Sequence, residues 1–323
     1  MAVYTHLGAE ELARLIGEYD VGALVSAKGI AEGVSNSNWL VETAGTGDGT
    51  RRFILTMYER RIELADLPYF LGLLDHLSAR GCPVPRTIHD RSGAAFRMES
   101  GKALALIEYL PGVSPTRPSP AQAAAVGEAL ARMHLESGDF ALTRANTMGF
   151  ADNLAVLEAC GTEALAAIDP ALPAMIEPAR AAAALDTSHL PRGNIHADLF
   201  PDNVLMLGER VTGMIDFYFA CTDSLALDLA TTHAAWCFDA QTNAYDPARG
   251  QALLDAYQHV RPLEEAERRA FGRIAQGAAL RFVASRAEDW HATPGDALVT
   301  RKDPMEFAQR WRFYAENGDH LVA

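Results

Sequence analysis

Residues 193–205 read GNIHADLFPDNVL, and residues 213–217 read GMIDF. The first stretch has the spacing H-x-D-x-x-x-x-N, and the second places an aspartate between an apolar residue and a phenylalanine. Between them, residues 204–207 and 211–215 have the apolar composition of two short strands joined by a turn. The pattern therefore predicts a polar loop followed by a hairpin that ends at Asp216.

This spacing suits the transfer of a phosphoryl group from ATP to a hydroxyl. That reaction needs a group that accepts the proton of the hydroxyl and oxygen ligands for magnesium. Asp198 is predicted to be the base, and Asn203 and Asp216 are predicted to bind the metal. Two protein ligands suffice, because Mg²⁺ usually takes its remaining ligands from water and substrate phosphates. The alternative is an ordinary Asp-rich turn, which the flanking strand pattern disfavours.

Composition narrows the class of protein. The 323 residues include 28 Lys and Arg against 42 Asp and Glu, a net charge of −14, which argues against nucleic acid or an anionic membrane as partner. No apolar run reaches the ~20 residues of a membrane span, and the first 18 residues do not resemble a signal peptide. The four cysteines are scattered without a C-x-x-C pair. We expect a cytoplasmic enzyme that acts on a small molecule.

The order of predicted elements indicates an α+β fold. A helix at 8–19 and another at 67–80 accompany five strand-like segments, which are 23–29, 38–43, 52–58, 94–99 and 102–109. After a break at 111–115 the pattern is helical, with helices expected at 121–135, 154–167, 225–238, 250–257, 263–290 and 304–316.

This order predicts a bilobal, protein-kinase-like architecture. Residues 1–110 would form a nucleotide-binding lobe with a five-stranded antiparallel sheet, and residues 111–323 a mainly helical lobe for catalysis and substrate.

A glycine- and serine-containing segment between the first two strands is the candidate phosphate loop. Glycines let backbone N–H groups approach phosphate oxygens, and Ser and Asn side chains add donors. The candidates are Gly29, Gly33, Ser35, Asn36, Ser37 and Asn38. At the end of the last strand, the Glu108 carbonyl and the Leu110 N–H are predicted to bond the adenine ring. The alternatives are a simple turn and a plain interdomain linker.

One expected group is missing from the third strand. A protein-kinase-like lobe normally carries a lysine there that contacts the phosphates, but Thr56 occupies the place. A hydroxyl carries no positive charge, so Arg60, Arg61 or Lys28 would have to reach in, or backbone donors would have to suffice. The departure also leaves open a catalytically weak, ATP-binding pseudokinase.

Together these residues resemble the aminoglycoside phosphotransferase/choline kinase superfamily and, within it, homoserine kinases of the pseudomonad type. The resemblance runs from about residue 5 to 315, and the segments that carry it are 29–39, 55–60 with the D-L-P-Y-F motif at 66–70, 194–204, 215–221 and 280–286. The Leu-Thr pattern around Thr56 also resembles that subfamily.

The resemblance implies that ATP and L-homoserine give O-phospho-L-homoserine and ADP, a step of threonine biosynthesis, with ATP and Mg²⁺ as cofactors. It also implies that Asp198 is the catalytic base and that His196 braces the loop beside it by hydrogen bonds. Choline, an aminoglycoside or a hydroxylated amino acid remain alternative acceptors. The oligomeric state is left open.

Homoserine also carries a carboxylate and an ammonium, which the cleft must bind. Arginine suits a carboxylate through its bidentate fork. The candidates for this contact are Arg281 and Arg286, with Tyr218 nearby in the pattern. The alternative is that both arginines are solvated charges on a helix face.

Overall fold

The computed structural model of the protein describes residues 7–30, 36–45, 49–59, 63–292 and 301–322. Its first part is an antiparallel sheet with a helix on each face. The strands are β1 (Leu24–Ile30), β2 (Asn36–Ala44), β3 (Thr50–Tyr58), β4 (Thr87–Ile88), β5 (Arg97–Glu99) and β6 (Lys102–Glu108), and the helices are α1 (Ala9–Ile16) and α2 (Leu67–Ala79).

Side chains alternate between the two faces of this sheet, and each face buries a different helix. Leu104 and Leu106 of β6 belong to the core that includes Leu12 and Leu15 of α1. Ala103, Ala105 and Ile107 of the same strand belong to the core that includes the apolar residues of α2. The period of two along β6 therefore fixes which helix each face receives.

The sheet has six strands, where the sequence predicted five. Its order is β1-β2-β3-β6-β4, with β5 also paired to β6. The additional strand, β4, has two residues and follows two prolines. It is too short to show the alternation of apolar and polar residues that predicts a strand. The predicted strand at 94–99 begins only at Arg97, because Asp90 Oδ1 accepts hydrogen bonds from the N–H groups of Ser92 and Ala94 and holds that stretch in a turn.

The remainder of the described chain is mainly helical. The helices are α3 (Pro120–Glu136), α4 (Phe150–Cys160), α5 (Thr162–Ile168), α6 (Ile176–Ala183), α7 (Leu225–Trp236), α8 (Pro247–Val260), α9 (Glu265–Ala292) and α10 (Met305–Asn317). Two small antiparallel sheets lie among them, β7 (Arg192–Ile195) with β10 (Cys221–Ser224), and β8 (Val204–Leu207) with β9 (Arg210–Met214). No helix in the described ranges combines the length and the apolar character needed to cross a bilayer.

The predicted single helix at 154–167 is wrong, because the chain breaks at Gly161. This glycine has φ of 79°, in the left-handed region, and separates α4 from α5. The predicted strands of the catalytic hairpin are confirmed as β8 and β9.

Helix α7 lies at the centre of the helical region. Eleven of its residues are buried, including Asp228, Thr231 and His233, so it has no solvent-facing side of the usual kind. The 28-residue helix α9 packs against it, and α10 packs on α9 in turn. A polar residue on α7 must therefore find its partners inside the protein.

The D-L-P-Y-F motif joins α2 to the helical region. Asp66 Oδ2 accepts a hydrogen bond of 2.6 Å from Arg144 Nε, and the Tyr69 hydroxyl donates to Asn194 Oδ1 over 2.9 Å. The ring of Phe70 meets Tyr218 edge to face, with centroids 6.0 Å apart. Asn194 lies on β7, immediately before the catalytic loop, so the motif fixes the sheet region relative to that loop.

We expect Gly127→Ala to destabilise the fold. Gly127 lies on α3 where α8 crosses it, and an added Cβ would overlap the backbone carbonyl oxygen of Leu253. Overpacking of this kind costs about 1–3 kcal/mol, although alanine is the better helix former. Urea denaturation should show this loss in the free energy of unfolding. The neighbouring exposed change Glu128→Ala, which removes only a surface pair with Arg132, should stay within about 0.5 kcal/mol. A stable Gly127→Ala variant would show that α3 and α8 separate at low cost.

Candidate active site

The catalytic loop begins where β7 ends and holds Ala197 in an unusual conformation. Ala197 has φ of 64°, which costs a residue with a Cβ about 1–3 kcal/mol. Both of its backbone groups are bonded: the N–H donates to Asp228 Oδ1 over 2.8 Å, and the carbonyl accepts from Arg281 Nη1. These two bonds keep the strained residue in place and thereby direct Asp198.

Asp228 anchors this loop from the buried helix α7. Its carboxylate accepts hydrogen bonds from the N–H groups of His196 (2.7 Å) and Ala197, and from His134 Nε2 (3.0 Å). Burial by itself favours the neutral acid, but the hydrogen bonds and charges around the carboxylate lower the pKa of Asp228 below its usual value. The group is therefore an ionised acceptor inside the protein.

The chain of polar contacts continues beyond His134. His134 Nδ1 lies 2.7 Å from the Tyr257 hydroxyl, which accepts a hydrogen bond of 3.1 Å from Arg261. Arg261 is paired in turn with the fully buried Glu267, at 3.0 Å. The catalytic loop is thus connected to α3, α8 and α9 through buried groups.

His196 braces the two aspartates of the site. Its Nδ1 accepts from the Asp198 N–H over 3.2 Å, and its Nε2 donates to the Ile215 carbonyl over 2.9 Å. The side chain is fully buried, and burial lowers the pKa of its imidazole. Both ring nitrogens are hydrogen-bonded and the ring is neutral, so the side chain could brace the loop; that role of His196 stays a prediction.

Asp198 has the exposure and surroundings of a base in a cleft. Its side chain is 19% exposed, and Arg281 Nη2 lies 3.5 Å from Asp198 Oδ1. Burial raises the pKa of Asp198, whereas the positive charge of Arg281 opposes that shift. A partly desolvated carboxylate whose pKa is raised is suited to accept a proton.

The predicted metal ligands offer the oxygen atoms that magnesium prefers. Asn203 uses its Nδ2 to donate to the Asp198 carbonyl over 2.8 Å, which leaves its Oδ1 as an acceptor. Asp216 has φ of 65° at the end of the hairpin, and the N–H of the preceding Ile215 bonds the Asn203 carbonyl over 2.9 Å. An amide oxygen and a carboxylate tied together through the backbone fit a hard divalent cation.

Asp216 itself faces the open cleft. Desolvation by the surrounding atoms is the largest cause that raises the pKa of Asp216, and the negative charges of Asp198 and Asp202 add to it. Together they raise this pKa to about 7. The residue is nevertheless exposed to solvent, so a cation can reach it. A proton and a metal cation would therefore compete for this carboxylate near neutral pH.

Thr56 lies buried at the centre of the sheet, at the place of the missing lysine. Its hydroxyl donates to Asn38 Oδ1 over 2.8 Å, so two of the predicted nucleotide contacts are bonded to each other. Ser37 Oγ donates to Glu59 over 2.6 Å. Gly29 lies on β1, and Asn36 begins β2 with its side chain buried.

Gly33 and Ser35 lie outside the described residues, and so do Arg60 and Arg61.

The predicted adenine contacts lie on a link that touches the catalytic hairpin. Glu108 ends β6, and its N–H bonds the Arg86 carbonyl over 3.0 Å. Leu110 packs on Gly213 of β9, where an added Cβ would come within 2.9 Å of Leu110 Cδ1. The link therefore rests on the strand that leads to Asp216, and a side chain at position 213 would displace it.

The structure separates the three residues predicted to hold the acceptor. Arg281 is beside Asp198, whereas Arg286 is paired with Glu306 and donates to the Asp303 carbonyl over 2.8 Å. Tyr218 packs on Tyr58 and Phe70. Only Arg281 of this group touches the base.

Three residues of the site were missed by the sequence analysis. Asp228 and His134 lie in ordinary helical patterns, and only their charge within long apolar runs signals a role. Phe219, 40% exposed, lies under the Arg281 guanidinium at 5.3 Å from ring centroid to Cζ. Phe219 lies three positions after Asp216, and this closeness in the sequence was the available signal.

Residues 26–263 match the model of the phosphotransferase enzyme family, about three-quarters of the chain. Together with the loop geometry above, this shows that the chain belongs to the phosphotransferase enzyme family, which the sequence resemblance had predicted.

Within that family the chain is similar to homoserine kinases. It is 47% identical over 316 residues to a homoserine kinase of Granulibacter bethesdensis, covering 97% of both chains. It is 46% identical over 325 residues to a homoserine kinase of Gluconobacter oxydans, covering 99% of this chain and 100% of that one.

Solved structures confirm the predicted fold class. An aminoglycoside phosphotransferase of Alicyclobacillus acidocaldarius superimposes with a TM-score of 0.67 at 18% identity, covering 98% of this chain and 95% of that chain. A spectinomycin phosphotransferase in complex with ADP and spectinomycin gives 0.69 at 12% identity, covering 98% and 96%. Both comparisons concern the fold, a protein-kinase-like α+β architecture.

We expect binding of Mg²⁺ with nucleotide to strengthen as the pH rises through about 7. Asp216 must be ionised to bind the cation, and its pKa of about 7 means that part of the free protein holds a proton there below that pH. Calorimetric titrations at pH 6, 7 and 8, in two buffers of different ionisation enthalpy, should show proton release that vanishes at the highest pH. Asp216→Asn should bind weakly with no proton release, whereas unchanged release in that variant would locate the titrating group elsewhere.

Proposed function

We propose that this protein is an ATP-dependent homoserine kinase, which transfers the γ-phosphoryl group of ATP to the hydroxyl of L-homoserine. The products would be O-phospho-L-homoserine and ADP, a step of threonine biosynthesis. The observation that carries this acceptor is the identity of 46–47% to homoserine kinases over 97% or more of the chain. The site geometry supports the reaction type independently.

The chemistry of the chain's own groups follows from their placement. Asp198 accepts the proton of the attacking hydroxyl, and its orientation depends on Ala197, which Asp228 and Arg281 hold. Asn203 and Asp216 would hold Mg²⁺, which when bound neutralises phosphate charge. Because these groups are fixed before the substrates arrive, little reorganisation is needed at the moment of transfer.

The nucleotide would lie between the sheet and the catalytic hairpin. We place the boundary of the two lobes near residue 110, so that residues 1–110 and 111–323 each contribute one wall. The segment from Gly29 to Asn38 would cover the phosphates, and Glu108 and Leu110 would bond adenine. Leu110 already rests on the hairpin that bears Asp216, which supports this arrangement. The cytoplasmic location stays a prediction.

The acceptor is tested by measuring ADP release with purified protein, ATP and Mg²⁺ across L-homoserine, choline, kanamycin and hydroxylysine. We expect homoserine to give the highest kcat/KM, because homoserine kinases match nearly the whole chain at 46–47% identity. Mass spectrometry should identify phosphorylated homoserine. Turnover of another alcohol with no homoserine activity would reject the specific proposal and keep the reaction class. Binding of ATP with Mg²⁺ but no turnover would favour the pseudokinase.

Asp198→Asn should reduce kcat about 10²–10⁴-fold, the usual contribution of a general base. The amide cannot accept the proton, while both metal ligands stay, so the Kd of ATP should change little. Glu209→Gln is the matched control, since it removes an exposed carboxylate from the turn of the adjacent hairpin, and it should stay within about threefold. If Asp198→Asn retained a tenth or more of the wild-type kcat, Asp198 would not be the base.

A further inference from the structure

We propose that Arg144 is a positioning residue for the metal site, because it ties the turn that follows Asp216 to the start of helix α2 in the sheet region. This inference rests on the proposed function, in which Asp216 holds Mg²⁺, and it adds to that site a residue that is not one of its ligands. Three features support it: the way the Arg144 backbone is fixed, the two groups that its guanidinium joins, and the conformation of Asp216.

The backbone of Arg144 is fixed on strand β10. Its N–H donates to Thr222 Oγ1 over 3.2 Å, and its carbonyl accepts from the Thr222 N–H over 2.7 Å. The next residue, Ala145, forms a parallel bridge with Thr222. The base of the arginine side chain therefore lies beside the strand into which the metal-binding segment continues.

The guanidinium of Arg144 joins two parts of the chain that are distant in sequence. Its Nε donates to Asp66 Oδ2 over 2.6 Å, and its Nη1 donates to the Ala220 carbonyl over 3.2 Å. The guanidinium carbon also lies 5.0 Å from the centroid of the Phe70 ring. Asp66 and Phe70 belong to the D-L-P-Y-F motif, whereas Ala220 ends the short 3₁₀ turn Phe217–Phe219 that follows Asp216. Because arginine is a planar fork with separate donors, one side chain holds both acceptors at once.

Asp66 forms this pair in place of a bond to its own helix. It occupies the N-cap position of α2, where an aspartate ordinarily accepts a hydrogen bond from a backbone N–H of the first turn. It makes no such bond here. Its side chain is 29% exposed and that of Arg144 is 18% exposed, so the pair is partly shielded from water and salt. The start of α2 therefore uses its capping residue to contact the metal-binding segment.

Asp216 needs this segment to be held on both sides. Its φ of 65° is uncommon for a residue with a side chain, and such a conformation persists only where the surrounding structure enforces it. Before Asp216 the hairpin fixes the chain, as described above. After it, the Ala220 N–H closes the turn on the Phe217 carbonyl over 2.9 Å, and Arg144 holds the Ala220 carbonyl. Arg144 thereby helps to fix the direction of the Asp216 carboxylate.

A second contact from α2 meets the same turn. The ring of Phe70, on which the Arg144 guanidinium lies, packs edge to face against Tyr218 in the middle of the turn. A displacement of α2 would therefore move the turn, and the proposed metal ligand with it. Groups that orient the ligands of a metal typically change its affinity by about 10–100-fold when they are removed.

The test measures binding of Mn²⁺, which takes the same oxygen ligands as Mg²⁺ and is detected by electron paramagnetic resonance. Wild-type protein and Arg144→Met are titrated with Mn²⁺ at saturating ADP and without acceptor, and a titration of ADP alone is subtracted. We expect the variant to bind Mn²⁺ about 10-fold more weakly, at the lower end of the range for groups that orient ligands. The Kd of ADP without metal should stay within about threefold, which is less than the loss of one charged hydrogen bond.

Asp66→Ala tests the other half of the pair and decides the matter alone if Arg144→Met does not fold. It removes no helix cap, because Asp66 makes none. We expect it to weaken Mn²⁺ binding as well, and to weaken it no further when Arg144→Met is already present, since the two residues act as one unit. Additive losses would overturn the link to α2.

Arg80→Met is the matched control, because it breaks another ion pair between α2 and the helical region. Arg80 Nη2 donates to Asp139 Oδ2 over 2.6 Å at the opposite end of α2. The Mn²⁺ affinity of this variant should stay within about threefold of wild type, even if urea denaturation shows a loss of stability. Wild-type Mn²⁺ affinity in Arg144→Met, or an equal loss in Arg80→Met, would overturn the proposal. The second result would mean that any loosening of α2 weakens the metal site.

Failure of the proposed function is seen separately, as wild-type protein that does not phosphorylate homoserine, because the Mn²⁺ titrations need no acceptor. Asp216→Asn is titrated in the same way. If it binds Mn²⁺ as tightly as wild type, the metal does not lie at Asp216 and the role proposed for Arg144 is rejected with it.

Discussion

The carboxylate of Asp228 is the group on which the site depends most. It is an ionised side chain on a helix that is buried almost all round, a situation that is very costly unless every lone pair has a donor. Two of its donors are consecutive backbone N–H groups of the catalytic loop, and the third is His134. The stability of the helical core and the geometry of the loop are therefore coupled: the loop satisfies the buried charge, and the charge keeps Ala197 in a conformation it would otherwise leave.

The sheet region reaches the same loop by different contacts. Tyr69 bonds Asn194 just before the loop, and Leu110 rests on Gly213 just before Asp216. His196 then joins the two ends, because one ring nitrogen bonds the backbone of Asp198 and the other that of Ile215. The proposed base and the proposed metal ligand, 18 positions apart in the sequence, are thus held by one neutral side chain.

The sequence was sufficient for the parts of this structure that are local. The loop spacing and the hairpin at 204–214 depend on neighbouring residues, and they were predicted within one residue at the second strand. Contacts between residues distant in sequence could not be predicted. Arg281 and Arg286 lie in similar sequence surroundings on one helix. The ion pair of Arg286 with Glu306 on α10 distinguishes the two arginines in the structure. The helix break at Gly161 was missed because glycine within a helical pattern is often tolerated. Asp90 shortened a strand through side-chain bonds that periodicity does not show.

Charge explains how the two sides of the cleft differ. The chain carries −14 and ATP is also an anion, whereas homoserine is a zwitterion whose carboxylate and ammonium both need partners. Beside Asp198, the positive charge of Arg281 opposes the rise in the pKa of Asp198 that burial causes. On the phosphate side, Thr56 stands where a protein-kinase-like lobe normally carries a lysine. Its hydroxyl donates a hydrogen bond to the neutral side-chain amide of Asn38. Because the carboxylates of Asp198 and Asp202 disfavour the ionised form of Asp216, a divalent cation bound there would stabilise that form. A hydroxyl at position 56 adds no positive charge beside the phosphates, so the proposed site relies on the metal and on backbone amides to offset the charge of the triphosphate.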